Sequence, residues 1–448
     1  MTLAKPNAHI GPRSEAAFAR ARRVFPDGTS RATVERDPTP RYMKSGAGCY
    51  LTDLDGRRFL DLANNFASLI HGHAFEPVIA AVEKQLRDGT CFANPTEAEI
   101  ELAALITGRI PHLERVRFMN SGSEAVMFAI KAARAATGKP GVAKIEGAYH
   151  GAYDWIEASQ TGTPETWGPR EKPAILPYCK GAPQGVLDTT VVIPFNDAAS
   201  SVALIEANAK MLACVVLDPV PSRAGLPLPE PGYLAAVERA ARKAGVIVIA
   251  DEVINLRQSV AGASARHGLK PDLFALGKIV GGGLPVGAVG GRAEVMAVFD
   301  SSSGRPALPQ GGTFSANPLS MAAGVACMGA FDEAAHARLE RLGEDLRARL
   351  RAAIARHGAP FSVAGIASLI RIHPKRVLPR DYRESYRTPA HAAVMAALSR
   401  HMADEGVIVP PATLSCLSTA MGEAEIGIVV EAFERFLATR QDAYAAIA

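Results

Sequence analysis

Short runs of apolar residues alternate with amphipathic stretches of helical period through the middle of the chain. The pattern predicts helices at 97–110, which stops before Pro111, and at 124–136. Several of the apolar runs are uninterrupted, which is typical of strands buried on both faces of a sheet. The runs predicted to be strands are 116–119, 142–145, 191–193, 214–217, 246–250 and 273–276. This order predicts an α/β fold in which helices flank a mostly parallel central sheet.

The two ends of the chain have a different pattern. Before residue 60 the chain is polar and rich in turns, and Asp55-Gly56 predicts a hairpin between strands at 49–51 and 58–60. From residue 333 a charged helix at 335–357 is followed by short strands at 368–372, 407–409 and 415–419, and by a helix at 423–439. This last part predicts a smaller α+β domain.

Composition narrows the class of protein. The 448 residues are 48% apolar and 21% charged, which is ordinary for a globular chain with a sizeable core. The net charge of +4 is spread along the chain and does not predict binding to nucleic acid. The six cysteines show no paired spacing, and His71-Gly72-His73 lacks a third ligand nearby, so we expect neither disulfides nor a metal site. No apolar run approaches the ~20 residues that span a bilayer, so we expect a cytoplasmic protein without a membrane partner.

Three polar features follow predicted strands, where open α/β sheets bind their ligands. Asn120-Ser121-Gly122-Ser123-Glu124 opens a helix whose free N–H groups favour phosphate, although the same residues are ordinary helix caps. Asp251 follows the 246–250 strand and needs a cationic partner or a metal; a helix cap or a buried salt bridge is the alternative. Lys278 follows the 273–276 strand beside three glycines, where burial would lower the pKa of its amine and make it a nucleophile; a surface lysine is the alternative.

Together these features meet the requirements of one cofactor. Pyridoxal 5′-phosphate needs a lysine for its Schiff base, a carboxylate that keeps its pyridine nitrogen protonated, and an anchor for its phosphate. Lys278, Asp251 and the start of the 124–136 helix would supply one of each. The sequence therefore predicts an enzyme that uses pyridoxal phosphate.

Five motifs, in this order, resemble the class III (fold-type I) pyridoxal-phosphate-dependent aminotransferases. They are Asn120-Ser121-Gly122-Ser123-Glu124-Ala125, Gly147-Ala148-Tyr149-His150-Gly151, Asp251-Glu252-Val253, Leu276-Gly277-Lys278, and Gly312-Thr313-Phe314 before Asn317-Pro318. The resemblance runs from about residue 20 to 440 and is strongest to the branch of glutamate-1-semialdehyde aminomutases and β-amino-acid aminotransferases. It implies a large cofactor-binding domain at 66–332 and a smaller α+β domain built from both termini, at 1–65 and 333–448.

The resemblance also implies roles for individual residues. Lys278 would carry the cofactor and move the proton, and Asp251 would pair with the pyridine nitrogen. Tyr149 would stack on one face of the ring and Val253 would pack against the other. The phosphate would be bound by Ser121, Gly122 and Ser123, and by Thr313 of a neighbouring subunit, which implies a homodimer with shared active sites.

Substrate recognition is where the chain departs from this family. Arg31 is similar in position to an arginine that grips the substrate carboxylate, and a guanidinium suits that task. His150, beside the stacking tyrosine, is expected to line the substrate side in a supporting role. The family's Glu-Pro-Val-x-Gly-Asn segment is Asp218-Pro219-Val220-Pro221-Ser222-Arg223 here, which leaves Arg223 as a second candidate ligand for a carboxylate. Some β-amino-acid aminotransferases carry an arginine at the position of 409–413, and this chain has none there.

The resemblance implies an aminotransferase that moves an amino group from an amino acid or amine to a keto acid by a ping-pong mechanism, with a β-amino acid as the favoured donor. The alternative within the family is an intramolecular amino transfer of the glutamate-1-semialdehyde aminomutase type. Two other classes stay open from the residues alone. They are a nucleotide-binding dehydrogenase that uses the glycines at 281–283, and a regulatory protein that keeps the cofactor without turnover.

Overall fold

The computed structural model describes residues 10–34, 36, 39–410 and 414–447. The strands in this part of the chain are β1 (Met43–Ala47), β2 (Tyr50–Asp53), β3 (Arg58–Asp61), β4 (Arg115–Met119), β5 (Gly141–Ile145), β6 (Thr190–Ile193), β7 (Leu212–Leu217), β8 (Ile247–Asp251), β9 (Leu273–Gly277), β10 (Gly287–Gly291), β11 (Ser362–Ile366), β12 (Leu369–His373), β13 (Val407–Ile408) and β14 (Ser415–Cys416). The six strands predicted for the central sheet are therefore confirmed.

Helices connect these strands. They are α1 (Pro12–Ala21), α2 (Asn64–Ala67), α3 (Glu76–Asp88), α4 (Glu97–Arg109), α5 (Gly122–Thr137), α6 (Asp154–Glu157), α7 (Gln184–Asp188), α8 (Ala198–Ala207), α9 (Tyr233–Lys243), α10 (Gly262–Arg266), α11 (Ala293–Met296), α12 (Pro318–Ala330), α13 (Glu333–His357), α14 (Tyr382–Ser385), α15 (Pro389–Asp404), α16 (Glu423–Thr439) and α17 (Gln441–Tyr444). The four helices predicted from the sequence, α4, α5, α13 and α16, are present. The short α2 differs from the rest because its residues have positive φ angles, so it is a left-handed turn.

The central sheet has seven strands in the order β4-β10-β9-β8-β7-β5-β6. The pairs from β9 to β6 are parallel, and β10 is antiparallel to both of its neighbours. The strands β4, β9, β8, β7 and β5 therefore run in one direction, and their carboxyl ends meet at one edge of the sheet. This geometry brings the three polar features of the sequence together.

The antiparallel strand β10 was missing from the sequence prediction. Its residues are Gly-Ala-Val-Gly-Gly, and glycine is depleted in strands because it has no side chain to pack. The structure needs a glycine here because a Cβ on Gly287 would lie 2.0 Å from the Ser121 carbonyl oxygen. Gly287 pairs with both Met119 and Gly277, so this strand sets the spacing between the loops that follow β4 and β9.

Two smaller sheets join distant parts of the chain. The predicted hairpin is confirmed as β2 and β3, and β3 pairs in parallel with β13, so an amino-terminal strand adds to a carboxyl-terminal one. The second small sheet has the order β11-β12-β14. Among the described residues, no helix has the length and apolar character required to cross a membrane.

Candidate active site

A cavity of about 320 Å³ lies at the carboxyl edge of the central sheet. Lys278, directly after β9, and Asp251, the last residue of β8, both line it. Lys278 has a φ of 50°, a left-handed conformation that a residue with a side chain keeps only where its surroundings hold it. Burial lowers the pKa of the Lys278 amine, against the opposing charges of Asp251 and Asp218. The cavity thus brings together an amine that is less readily protonated than usual and a carboxylate.

Two protein groups hold Asp251. Its Oδ1 accepts a hydrogen bond from the Val253 N–H at 3.0 Å, and its Oδ2 lies 2.7 Å from Nδ1 of His150. The His150 ring is buried, and burial lowers its pKa against the opposing effect of Asp251. Because a carboxylate only accepts hydrogen bonds, the His150 Nδ1–H is the donor in this contact. Its Nε2 has no hydrogen-bond partner within the described residues. His150 lines the cavity, and its hydrogen bond fixes the orientation of Asp251.

A second carboxylate of the cavity, Asp218, was missed as a site residue by the sequence prediction. Its Oδ1 accepts hydrogen bonds from the Val220 N–H at 3.0 Å and from the Asn255 side-chain amide. Burial, and then the nearby charge of Asp251, raise the pKa of Asp218 well above its usual value. The signal that could have found it is the one that points to Asp251, a carboxylate directly after a buried apolar strand.

The amino-terminal end of α5 faces the same cavity. Ser121 caps this helix, because its Oγ accepts a hydrogen bond from the Glu124 N–H at 3.2 Å. The N–H groups of Gly122 and Ser123, in the first turn, have no acceptor inside the helix. The Ser123 Oγ also accepts a hydrogen bond from the Ala152 N–H at 3.1 Å, which ties this turn to the loop after β5. Free N–H groups and the helix dipole make this end of the cavity a site for an anion such as phosphate.

Two side chains border the space between Lys278 and Asp251. Tyr149 enters from the loop after β5, and Val253 from the loop after β8. A Cβ on Gly122 would lie 2.8 Å from Cγ1 of Val253, so only a glycine lets the helix end approach this closely. An amine, a carboxylate, an anion site and two flanking side chains in one cavity fit pyridoxal phosphate.

The loop that carries Tyr149 and His150 is held by a residue to which no motif of the sequence points. Lys144 on β5 is buried, and its Nζ donates hydrogen bonds to the carbonyls of Ala148 at 3.1 Å and Ala158 at 2.8 Å. Burial lowers the pKa of Lys144 to about 7. These hydrogen bonds therefore hold the loop that places Tyr149 and His150 in the cavity wall.

Both candidate substrate arginines lie near residues that line the cavity. The Nη1 of Arg31 is 3.4 Å from Oδ1 of Asn65, a residue that lines the cavity. Arg31 is exposed and forms no ion pair with a carboxylate of the described residues. Arg223 is also exposed, and its charge is the largest effect that opposes the rise in the pKa of Tyr149 caused by burial. The two guanidinium groups are thus available near the cavity.

Thr313 does not line the cavity of its own chain. It is exposed, in a separate cavity of about 450 Å³ that it shares with Cys91, Phe92 and Glu99. A contact between Thr313 and phosphate would therefore require a second copy of the chain, as the resemblance implies.

The two histidines of His71-Gly72-His73 are engaged by protein groups. The ring nitrogens of His71 lie 2.8 Å from Oγ1 of Thr419 and 3.0 Å from the Cys327 carbonyl, and His73 contacts Asp61 at 2.8 Å. The segment 409–413, which has no arginine in the sequence, is described by the structure only at Val409 and Pro410, and residues 411–413 lie outside the described residues.

Comparison with known proteins identifies the family. The profile of the family described as Aminotransferase class-III matches residues 32–420. The glutamate-1-semialdehyde 2,1-aminomutase of Methanothermobacter thermautotrophicus is 36% identical over 95% of this chain and 99% of its own length.

Solved structures give the same result. An omega-transaminase from Sphaerobacter thermophilus is 45% identical, with a TM-score of 0.94 over 97% of this chain and 98% of that one. A beta-phenylalanine aminotransferase from Variovorax paradoxus is 31% identical, with a TM-score of 0.86 over 97% of this chain and 95% of that one. Because these matches extend over nearly the whole chain, the protein belongs to the class-III aminotransferases and is a transaminase that depends on pyridoxal phosphate.

Proposed function

We propose that this enzyme transfers the amino group of a β-amino acid to a keto acid by a ping-pong mechanism. The observation that carries the proposal is Arg31, an exposed guanidinium at the cavity rim with no carboxylate partner among the described residues. A guanidinium binds a carboxylate through two parallel hydrogen bonds. The donor's amine must meanwhile reach Lys278 inside the cavity, and the likeness to a beta-phenylalanine aminotransferase favours a β-amino acid as that donor.

Each residue of the cavity has a role in this proposal. When bound, pyridoxal phosphate supplies a ring that accepts electrons from the donor carbon. Lys278, whose amine has a lowered pKa, would take the proton from that carbon and pass it to the cofactor, and would move a proton in the reverse direction in the second half of the cycle. Asp251, oriented by His150, stabilises positive charge on the ring nitrogen. The first turn of α5 binds the phosphate, and Tyr149 and Val253 hold the ring between them.

Arg223 gives the keto acid a second anchor. It lies near Arg371, whose pKa is lowered to about 9 by burial and then by the charges of Arg387 and Arg223. Such a concentration of positive charge attracts dianions. The Arg223→Ala variant should raise the KM for 2-oxoglutarate about tenfold and leave the KM for pyruvate within about twofold, because pyruvate lacks the distal carboxylate. Equal changes for both acceptors would contradict this role.

The role of Arg31 is tested with two donors that differ only in the carboxyl group, 3-amino-3-phenylpropanoate and 1-phenylethylamine. A hydrogen bond to a charged group contributes ~1.5–3 kcal/mol, so Arg31→Ala should lower kcat/KM for the amino acid by about 10- to 100-fold. The amine should change by less than about threefold. Arg239→Ala, an exposed arginine on α9, is the matched control. Equal losses for the two donors would reject the proposal.

The homodimer is part of the proposal because Thr313 lies away from its own cavity. The neighbouring Phe314 is 56% exposed and Phe92 is 48% exposed, as expected for a surface that a second subunit covers. Mixing Lys278→Ala and Thr313→Asp subunits, each inactive alone, should restore activity in the hybrid dimer, which regains one intact site. A fully active monomer in sedimentation would contradict this arrangement.

The aminomutase is a second candidate, favoured by the name of the 36% identical relative. An aminomutase moves the amino group within one molecule and needs no acceptor. The presence of Arg223 instead of the asparagine that the aminomutases carry favours the aminotransferase. Sustained turnover of a donor in the absence of any keto acid would decide for the aminomutase.

A further inference from the structure

The left-handed turn α2 is the most unusual piece of backbone near the cavity. The φ angles of Asn64, Asn65, Phe66 and Ala67 are 43°, 47°, 56° and 66°, and none of these residues is a glycine. The left-handed conformation brings the side chain close to the following carbonyl, so residues other than glycine adopt it singly and rarely in succession. Four in a row must be held by contacts from elsewhere in the fold.

Those contacts come from a buried arginine far away in the sequence. The Nη1 of Arg257 donates to the Ala67 carbonyl at 3.1 Å, its Nε donates to Oγ of Ser368 at 3.0 Å, and its Nη2 donates to the Leu417 carbonyl. Arg257 is only 1% exposed and forms no ion pair with the described residues. Burying a charge that is met only by neutral acceptors is costly, so this side chain must stabilise something that the fold requires.

The start of the turn is fixed as well. The Nδ2 of Asn64 donates to the carbonyls of Asp61 at 3.1 Å and Cys416 at 2.9 Å. With Asn64 at one end and the Arg257 contact at the other, the middle residues have little freedom. The hydrogen bonds at both ends of the turn therefore fix the positions of Asn65 and Phe66.

Asn65 and Phe66 are the residues that meet Arg31. The Asn65 Oδ1 lies 3.4 Å from Nη1 of Arg31, and the guanidinium carbon lies 5.9 Å from the centre of the Phe66 ring. The second amide atom of Asn65, Nδ2, donates to Oγ of Ser68 at 3.1 Å, and both residues line the cavity. The Arg31 carbonyl accepts hydrogen bonds from the Thr29 hydroxyl at 3.0 Å and the Val34 N–H at 3.3 Å, whereas its guanidinium contacts Asn65 and Phe66, so the position of the guanidinium depends on the turn.

We infer that Arg257 is a positioning residue for carboxylate selectivity: it holds the left-handed turn that places Asn65 and Phe66 against Arg31. The inference rests on the proposed function and adds the device that fixes the carboxylate subsite. It predicts that a change at Arg257, which does not line the cavity, weakens the binding of carboxylates and spares donors that lack one.

The test measures binding as well as turnover. Calorimetry on the pyridoxal-phosphate-loaded enzyme gives the Kd of 3-phenylpropanoate, which has the carboxylate and lacks the amine. Arg257→Gln should raise this Kd about tenfold, the loss expected when the guanidinium at the rim no longer bonds the carboxylate, and should raise KM for 3-amino-3-phenylpropanoate in parallel. The kcat/KM for 1-phenylethylamine should stay within about twofold.

A matched control and a rescue separate this role from a loss of stability. Arg109, a half-buried arginine on α4, donates to the Phe331 carbonyl at 2.9 Å and contacts neither the turn nor Ser368 within the described residues, so Arg109→Gln should leave the Kd unchanged. Adding Ala67→Gly to Arg257→Gln should recover most of the affinity, since glycine adopts the φ of 66° without strain. Should Arg257→Gln fail to fold, Ser368→Ala, which removes one acceptor of Arg257, should raise the Kd by a smaller factor.

The outcomes are distinguishable from failure of the proposed function. If Arg257→Gln weakens carboxylate binding and the wild-type enzyme does not transaminate the β-amino acid, the proposed function is wrong and this inference stands. Unchanged Kd values in Arg257→Gln or Ser368→Ala, equal effects of Arg109→Gln, or no recovery with Ala67→Gly would overturn the inference alone. A wild type that binds no carboxylate would overturn both.

Discussion

The hydrogen bond between His150 and Asp251 supports a quantitative prediction. It is 2.7 Å long, and both side chains are almost fully buried. A hydrogen bond to a charged group contributes ~1.5–3 kcal/mol. If that stabilisation acts on Asp251 when it holds the charged ring nitrogen, His150→Ala should slow the donor half-reaction by about 10- to 100-fold, at ~1.4 kcal/mol per tenfold. Because the anion site on α5 is untouched, the enzyme should still bind pyridoxal phosphate.

The assay is a single-turnover measurement of the donor half-reaction by stopped-flow absorbance. His150→Gln keeps a side-chain N–H donor and should lose no more than about a third of the effect on the logarithmic scale. The control is His336→Ala, which removes another buried histidine, one that contacts the Gln258 carbonyl at 2.7 Å outside the cavity. A rate within about twofold of wild type in His150→Ala, or an equal loss in His336→Ala, would show that this hydrogen bond does not support the half-reaction.

Two further predictions concern packing and pH. In Gly122→Ala the new Cβ would lie 2.8 Å from Cγ1 of Val253, so equilibrium dialysis should show a cofactor affinity about tenfold lower. The control Gly329→Ala has open space around its new Cβ and should leave the cofactor affinity unchanged. Burial, and then the charge of Arg371, lower the pKa of His373 from its ordinary 6.5 to about 3. Below pH 6.5 the unfolded chain therefore binds a proton that the folded chain does not, so the free energy of unfolding falls as pH falls. Between pH 6.5 and 5 this lowers the free energy of unfolding by ~2 kcal/mol, a slope that urea titrations should find missing in His373→Gln; parallel curves for the two proteins would contradict it.

The fold was predictable from the sequence where burial determines which residue types a segment contains. The strands β7, β8 and β9 are buried on both faces, so their residues are almost all apolar, and the runs at 214–217, 246–250 and 273–276 mark them. The strand β10 escaped prediction because its glycines are selected by the close approach of the Ser121 carbonyl, a contact that no local pattern records. The left-handed turn α2 escaped for the same reason, since Arg257, nearly two hundred residues away along the chain, holds it.

The candidate site was predictable as far as sheet topology determines it. Lys278 and Asp251 had to meet because the carboxyl ends of parallel strands share one edge, and the motif order pointed to the same cofactor. Asp218 carried the same signal and was missed because the motif comparison drew attention to Arg223 instead. The contact of His150 with Asp251 depends on the path of the loop after β5, and that path depends on buried Lys144.

A covalent bond between Lys278 and pyridoxal phosphate, in the cavity at the carboxyl edge of the sheet, is the feature on which every role proposed here depends. Borohydride reduction of the cofactor-loaded enzyme, followed by peptide mass spectrometry, tests it most directly. We expect one phosphopyridoxyl adduct per chain, located on Lys278, and none on buried Lys144. The Lys278→Ala variant should give no adduct while still binding the cofactor non-covalently. A wild-type enzyme that stays colourless and unmodified, or an adduct on another lysine, would contradict the account.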